Sequence, residues 1–267
     1  MSFTEDLLLP SRGIIYRLSN FDGVVKVKAF TTRAYKDLLA ANASEVGLRQ
    51  FIDSCLVDCP VKARDMNQED ILAILFKVRV MTLGNTLKSQ IKCPNCGHTD
   101  NIEHDLNDVS IKYLYTEKYP IPVTLPCGQE IKVRFPTGAD ARKAKDEAER
   151  RADIFKKSAS DYLPVYNIVS LIDLNGQDIV EKAEWYENLN PRDAIYIDSV
   201  FSEMGNVFGV NLSQTSKCSV CDKSYTSYIS IGSDFFRPDG NVTISATGKA
   251  GNLAGIIEKP AVSEQES

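Results

Sequence analysis

The sequence predicts an α+β fold, and three observations carry that expectation. A half-buried strand near the N-terminal end runs into three successive stretches of helical periodicity. Two Cys-x-x-Cys knuckles, Cys93–Cys96 and Cys218–Cys221, stand far apart in the chain. Between them lie a hairpin pattern and a highly charged helix. The expected organisation is a strand-and-helix region over 1–88, then a zinc-ribbon-like domain with a long mixed α/β insertion over 89–236. A C-terminal extension over 237–267 follows.

The first run, Leu7-Leu8-Leu9-Pro10-Ser11-Arg12-Gly13-Ile14-Ile15-Tyr16, sets a turn framed by Pro10 and Gly13 between two apolar stretches. Its three leucines either pack on the chain's own core or form an arm that docks on a neighbour. From Val25 to Phe30 the alternation is that of a half-buried strand. Thr32 is placed to cap a helix to about Ala41, with Tyr35, Leu38 and Leu39 on one face. Ser44 caps a second, in which Leu48, Phe51, Ile52 and Cys55 recur at helical spacing, so Cys55 reads as a small buried hydrophobe. Cys59, four residues on, leaves a local bridge or site open. Asn67 caps the third helix, Asp70 to about Met81, which is apolar around most of its circumference and therefore central to the N-terminal core.

Beyond the first knuckle, strand-like runs occur at Val109–Tyr113 and Ile121–Leu125. A hairpin is expected over 121–135, turning at Cys127-Gly128 with Ile131, Val133 and Phe135 inward. Cys127 is either a spare metal ligand or incidental. A helix over 139–158 carries seven basic and five acidic side chains between Ala139 and Lys157. Lys143 with Glu147, Lys145 with Glu149 and Asp146 with Arg150 are spaced for i,i+4 pairing. Its narrow stripe of Ala141, Ala144, Ala148, Ala152 and Phe155 suits close approach by another helix, of this chain or of a neighbour. The alternative is a solvated helix over the chain's own sheet. Tyr166 to Leu174 reads as a strand leading to an Asn175-Gly176 turn. Asn190-Pro191 opens a helix over 191–204, with Ile197, Val200, Phe201 and Met204 on its core face. From about Pro238 large apolar residues thin out, and the last ten or so residues are expected to be disordered in isolation.

The chain has 267 residues, of which 43% are hydrophobic and 25% charged, a balance ordinary for a globular protein. A net charge of −5 argues against a general nucleic-acid surface, which needs clustered Lys and Arg. Seven cysteines, four of them in knuckles, suit a reducing cytosol. The start, Met1 to Asp6, lacks the basic and apolar regions of a signal peptide, and no run approaches the roughly 18 apolar residues of a membrane span. A soluble protein made in a cytoplasm is expected.

Each knuckle lets two sulfurs reach one ion over a tight backbone turn. Cys93, Cys96, Cys218 and Cys221 together would complete a closed tetrahedral zinc site with a structural role. Zinc-ribbon pairs usually lie roughly 15–20 residues apart. Here 121 residues separate Cys96 from Cys218. Loop-closure entropy grows only logarithmically with length, so an insertion of this size is tolerable. Two other readings stay open: a redox role for each knuckle, although neither has the βαβ context it needs, or a local site joining His98 or His104 to Cys93 and Cys96.

No catalytic constellation emerges: there is no Gly-rich phosphate loop, nucleophile elbow or His-Glu-x-x-His. The expectation is a protein that is not an enzyme. Three further features carry a resemblance. They are Leu9-Pro10-Ser11-Arg12-Gly13-Ile14-Ile15-Tyr16 followed by the Val24-to-Phe30 strand, Cys93-Pro94-Asn95-Cys96-Gly97, and the Leu125-to-Phe135 hairpin leading to Pro136-Thr137-Gly138 and a late Cys-x-x-Cys. With them the chain, from about Leu7 to Phe236, resembles the T4-type bacteriophage baseplate hub family. The resemblance implies a non-enzymatic role in the virion's contractile-tail baseplate, assembled in the host cytoplasm. The implied partners are other hub or wedge subunits, or tail-tube subunits, in a symmetric assembly. A zinc-ribbon module contacting nucleic acid, and a tail-assembly chaperone absent from the mature virion, are the alternatives.

Overall fold

The computed structural model describes residues 4–41, 44–174, 176–229, 231 and 233–236, and the expectations for Asn175 and for the 237–267 extension lie outside them. The architecture is α+β, with seven helices and several small antiparallel sheets among the described residues. The first sheet is β1 (Thr4–Leu8), β2 (Val24–Lys28) and β3 (Leu56–Val57), in that order. Val25 and Val27 point inward, as the alternation requires. Three helices pack on it: α1 (Thr32–Ala40), α2 (Glu45–Cys55) and α3 (Gln68–Leu83). Ser44 and Asn67 cap α2 and α3 as their side chains predict, accepting from Gly47 N–H (3.2 Å) and Glu69 N–H (2.8 Å). The α1 cap is Thr31 rather than Thr32, since Thr31 Oγ1 accepts from Ala34 N–H.

The core around α3 contains Leu9, Phe51, Ile52, Cys55, Met66, Ile71, Ile74, Leu75 and Val78. Of the leucines before Pro10, Leu9 is therefore part of the chain's own core and Leu7 packs against it. From the far end of the chain Phe235 and Phe236 enter the same core, their rings 5.1 Å from Phe76 and Phe51 respectively. Each such side chain contributes about 1.5–3 kcal/mol by burial.

The Leu9-to-Tyr16 corner is stitched to α3 by one buried carboxylate. Asp70 accepts from Ser11 N–H (2.9 Å), Ser11 O–H (2.6 Å) and Tyr16 O–H (2.5 Å). Burial raises the Asp70 pKa despite these donors, and burial beside Asp70 raises that of Tyr16. Arg12 and Gly13 adopt positive φ (53° and 70°). Gly23 passes so close that a Cβ on it would lie 2.3 Å from the Arg12 carbonyl carbon. Only glycine fits there. While Leu9 belongs to the first core, Ile15 belongs to a second.

A long hairpin follows α3. Strands β4 (Thr86–Lys92) and β5 (Thr99–Asp105) pair from Thr86↔Asp105 to Lys92↔Thr99, with the first knuckle at the tip. After β6 (Ile111–Lys112) comes the expected second hairpin, β7 (Ile121–Thr124) and β8 (Glu130–Val133), turning through Gly128 at φ 89°. Ile131, Val133 and Phe135 face the second core, with Leu114, Leu125, Ile172, Ile197 and Phe208.

The charged helix is α4 (Gly138–Phe155), closed at its start by a Thr137–Asp140 capping box. It is followed by α5 (Leu163–Val169), β9 (Ile172–Asp173), α6 (Ile179–Glu187) and α7 (Pro191–Met204). Ala144 and Ala148 pack on Tyr166, Val169, Ile179 and Ala183, so the alanine stripe serves helix packing within the chain. The ends of the stripe, Ala141 and Phe155, are exposed. Lys145 pairs with Glu149 (3.7 Å), whereas Arg150 reaches Glu147 one residue nearer than the i,i+4 pattern proposes.

The expectation of one strand over Tyr166–Leu174 is corrected: the segment is helical to Val169 and extended only at Ile172–Asp173, where β9 joins β8. A short apolar run rich in β-branched residues is ambiguous between the two states. Pro164 in the first turn and the fit of Tyr166 and Val169 against the alanines settle it as helix. Arg134 ties this region together, with Nε 3.1 Å from Asp173 and Nη2 2.9 Å from Asp140, while Arg17 reaches Asp173 from the corner (2.7 Å). The last strands of the described chain are β10 (Gly209–Val210), which pairs with β6, and the hairpin β11 (Ser213–Lys217) and β12 (Ser224–Tyr228).

Candidate metal centre

Each knuckle sits at the tip of a two-stranded hairpin, the first between β4 and β5 and the second between β11 and β12. The two turns share one backbone pattern. In the first, Cys93 N–H donates to His98 O (2.7 Å) and Gly97 N–H to Cys93 O (3.0 Å). In the second, Cys218 N–H donates to Lys223 O (3.0 Å) and Asp222 N–H to Cys218 O (3.1 Å). The fifth residue of each turn is left-handed, Gly97 at φ 76° and Asp222 at φ 63°. Asp is among the few non-glycine residues that enter that region readily.

Folding brings the tips together. Cys93 Sγ lies 3.8 Å from Cys221 Sγ, and Cys96 Sγ lies 3.6 Å from Cys218 Sγ. All four sulfurs fall within 4.8 Å of one another. A disulfide would hold its sulfurs about 2.05 Å apart, and all seven cysteines are free. A tetrahedral zinc ion at about 2.3 Å from each sulfur sets the S···S edge at about 3.8 Å, which the Cys93–Cys221 and Cys96–Cys218 separations match. Four thiols so placed are a donor set able to bind one metal ion. Cys93 and Cys218 are buried, Cys221 is half-buried and Cys96 is exposed.

The electrostatics of the group favour a cation. Backbone N–H groups of Cys96 and Asn95 turn toward Cys93, which is lowered to about 6. Cys218 has comparable donors in Cys221 and Val220, yet burial and the sulfurs of Cys96 and Cys221 push it up to about 12. Four thiolates in one place repel one another, and a divalent ion removes that conflict.

One carboxylate clamps the two tips. Asp100, on β5, accepts from both the N–H (3.4 Å) and the hydroxyl of Ser219, inside the second knuckle. Its pKa is lowered, first by the Ser219 hydroxyl. Neither histidine joins the four-sulfur group. His98 Nε2 lies 3.5 Å from Asp100, and His104 is buried against Ser89 Oγ (2.8 Å), where burial lowers its pKa. The remaining cysteines stand elsewhere. Cys55 is in the first core, its thiol pushed up to about 11 by burial, Cys59 borders that core, and Cys127 is exposed at the second hairpin's turn. Asp100 and Ser219 had no signal in the sequence, because their relation exists only once the two tips meet.

A profile of the family described as T4 bacteriophage base plate protein matches residues 11–237. The match begins at Ser11 in the stitched corner and includes both knuckles. No curated protein and no solved structure matches the chain.

Proposed function

Because the chain belongs to the T4 bacteriophage base plate protein family, we propose that it is a non-enzymatic structural or assembly protein of the baseplate hub. One zinc ion on Cys93, Cys96, Cys218 and Cys221 holds its shape. The observation that carries the zinc part is the meeting of two matched knuckles at tetrahedral edge lengths. Four protein sulfurs leave no coordination position for water or substrate, so the ion's role is structural.

The hub protein acts through contacts with other hub, wedge or tail-tube subunits in the virion tail, which it joins from the host cytoplasm. Tyr115, Ile154, Ile195, Val220 and Tyr228 are each more than half exposed and supply apolar anchors for such contacts. None of the described helices is long and apolar enough to cross a membrane.

The test combines metal content with virion composition. One zinc per chain in the wild type, near none in Cys218→Ser or Cys93→Ser, and a fixed ratio of this chain to other baseplate proteins in purified virions are expected. A zinc-free wild type overturns the metal assignment. Absence of the chain from purified virions transfers the role to a tail-assembly chaperone.

A further inference from the structure

The corner that links the two cores carries two arginines in the left-handed region, Arg12 at φ 53° and Arg17 at φ 54°. That region disfavours side chains with a Cβ, and residues held in it cluster at functional sites. Each guanidinium lies over a tyrosine of the segment between β6 and β7. Arg12 is 4.7 Å from the Tyr115 ring and Arg17 is 5.7 Å from the Tyr119 ring. The two pairs differ in what answers the charge. Arg17 meets Asp173 at 2.7 Å, whereas the Arg12 side chain has no ion pair or hydrogen bond among the described residues. The scaffold beneath Arg12 is fixed from both sides. Asp70 holds Ser11 through its N–H and its hydroxyl, and buried Leu114 donates its N–H to Pro10 O (2.8 Å), which sets Tyr115 beside the corner. Tyr115 itself is 75% exposed.

We propose that Arg12, stacked on Tyr115, is the docking point for a carboxylate-bearing segment of another baseplate subunit. This inference rests on the reading that the chain is itself a subunit of the baseplate. The planar fork of an arginine matches a carboxylate through two parallel N–H donors, and a ring beneath the fork holds it in place while its edge stays open. Arginine and tyrosine are enriched at the energetic centres of protein interfaces, and a side chain already held in position loses little freedom on binding. Charge complementarity selects the partner's chemistry, because no described acidic side chain of this acidic protein answers Arg12. A nucleic-acid backbone is the poorer match. It needs a cluster of cations, and the neighbouring Arg17 is already engaged by Asp173. Arg151 also stacks on an exposed ring, Phe155 at 4.7 Å, but there Glu184 and Glu187 line the same cleft.

The test places Arg12→Gly and Arg12→Glu in the phage and measures how much of the chain made in the cell is recovered in purified particles. Urea unfolding of the isolated full chains runs beside it. Arg12→Gly separates docking from folding: glycine enters φ 53° freely, so the isolated variant keeps a urea midpoint close to that of the wild type. Recovery in particles is expected to fall about tenfold or more in both variants. In a third phage, Tyr115→p-benzoylphenylalanine is expected to crosslink in the virion to a peptide of another baseplate protein that carries Asp or Glu. Wild-type recovery of Arg12→Gly overturns the proposal, as does a loss of recovery matched by a lowered urea midpoint, which marks a folding role for the corner. A crosslink to nucleic acid or to a second copy of this chain overturns the assigned partner. A wild type absent from purified virions is a different failure, and it overturns the baseplate-subunit reading together with the docking point.

Discussion

Asp100 accepts both the backbone N–H and the hydroxyl of Ser219, a residue 119 positions further along the chain. This contact joins the tip of one hairpin to the tip of the other without using a sulfur. It presets the separation of the knuckles, so a metal ion would meet a site already assembled.

Asp100→Ala is therefore expected to lower zinc affinity by about 10–100-fold while leaving one zinc per chain at saturation. Competition with a chromophoric chelator reads the affinity. An affinity equal to that of the wild type would mean that the sulfurs assemble without the clamp.

Gly23→Ala tests the stitched corner. Its Cβ would meet the Arg12 backbone at 2.3 Å, at a φ of 82° that L side chains rarely adopt. A loss of about 2 kcal/mol or more is expected from combined overpacking and backbone strain, measured by urea unfolding. Wild-type stability in the variant would show that the two backbones separate easily.

Ala148→Leu tests the packing of α4. Ala148 is fully buried against α5 and α6, leaving no room for three more carbons. A loss of about 1–3 kcal/mol in the isolated chain is expected. If the isolated chain tolerates leucine, the alanine stripe does not pack as closely as described.

Asp173→Asn tests the charged tie between the corner and the second core. Burial opposes ionisation of Asp173, but Arg17 and Arg134 prevail and hold its pKa below the usual carboxylate value. A depressed carboxyl contributes stability that is present above its unfolded pKa of about 3.9 and is lost as pH falls through the folded value. The wild type should therefore lose stability more steeply than Asp173→Asn below about pH 4. Denaturant midpoints across that range decide it, and parallel curves would remove Asp173 from the acid response.

Much of this was legible because its signals are local. Ser44, Asn67 and the Asn190-Pro191 pair mark helix starts through side-chain oxygens and a fixed φ, and all three helices form there. Gly128 marks the second hairpin for the same kind of reason. The four cysteines were legible by ligand type and number, although 121 residues separate Cys96 from Cys218. Helix α6 was missed even though Asp178 and Glu181 form its capping box, a local signal that was there to be read. Helix α5 was mistaken for strand because Ile168 and Val169 favour extended backbone, and Pro164 in its first turn together with the alanines of α4 decides against it. The Ser11–Asp70 stitch, the Arg134 tie and the Asp100–Ser219 clamp had no local signal, since each needs the fold before its partners are neighbours.

The distance between the knuckles along the chain is also an interval of time. Cys93 and Cys221 are 128 positions apart. At synthesis rates of about 5–20 residues per second, the first knuckle waits roughly 6–25 s for the second to be made. During that wait it offers an ion only two sulfurs. The four-sulfur centre can close once every element of the matched body up to β11 has been made, with β12 and the short helical turn Ser233–Phe236 still to come. Any metal capture is therefore a late event, after the residues of the second core have been made, while the first core still waits for Ile229, Phe235 and Phe236.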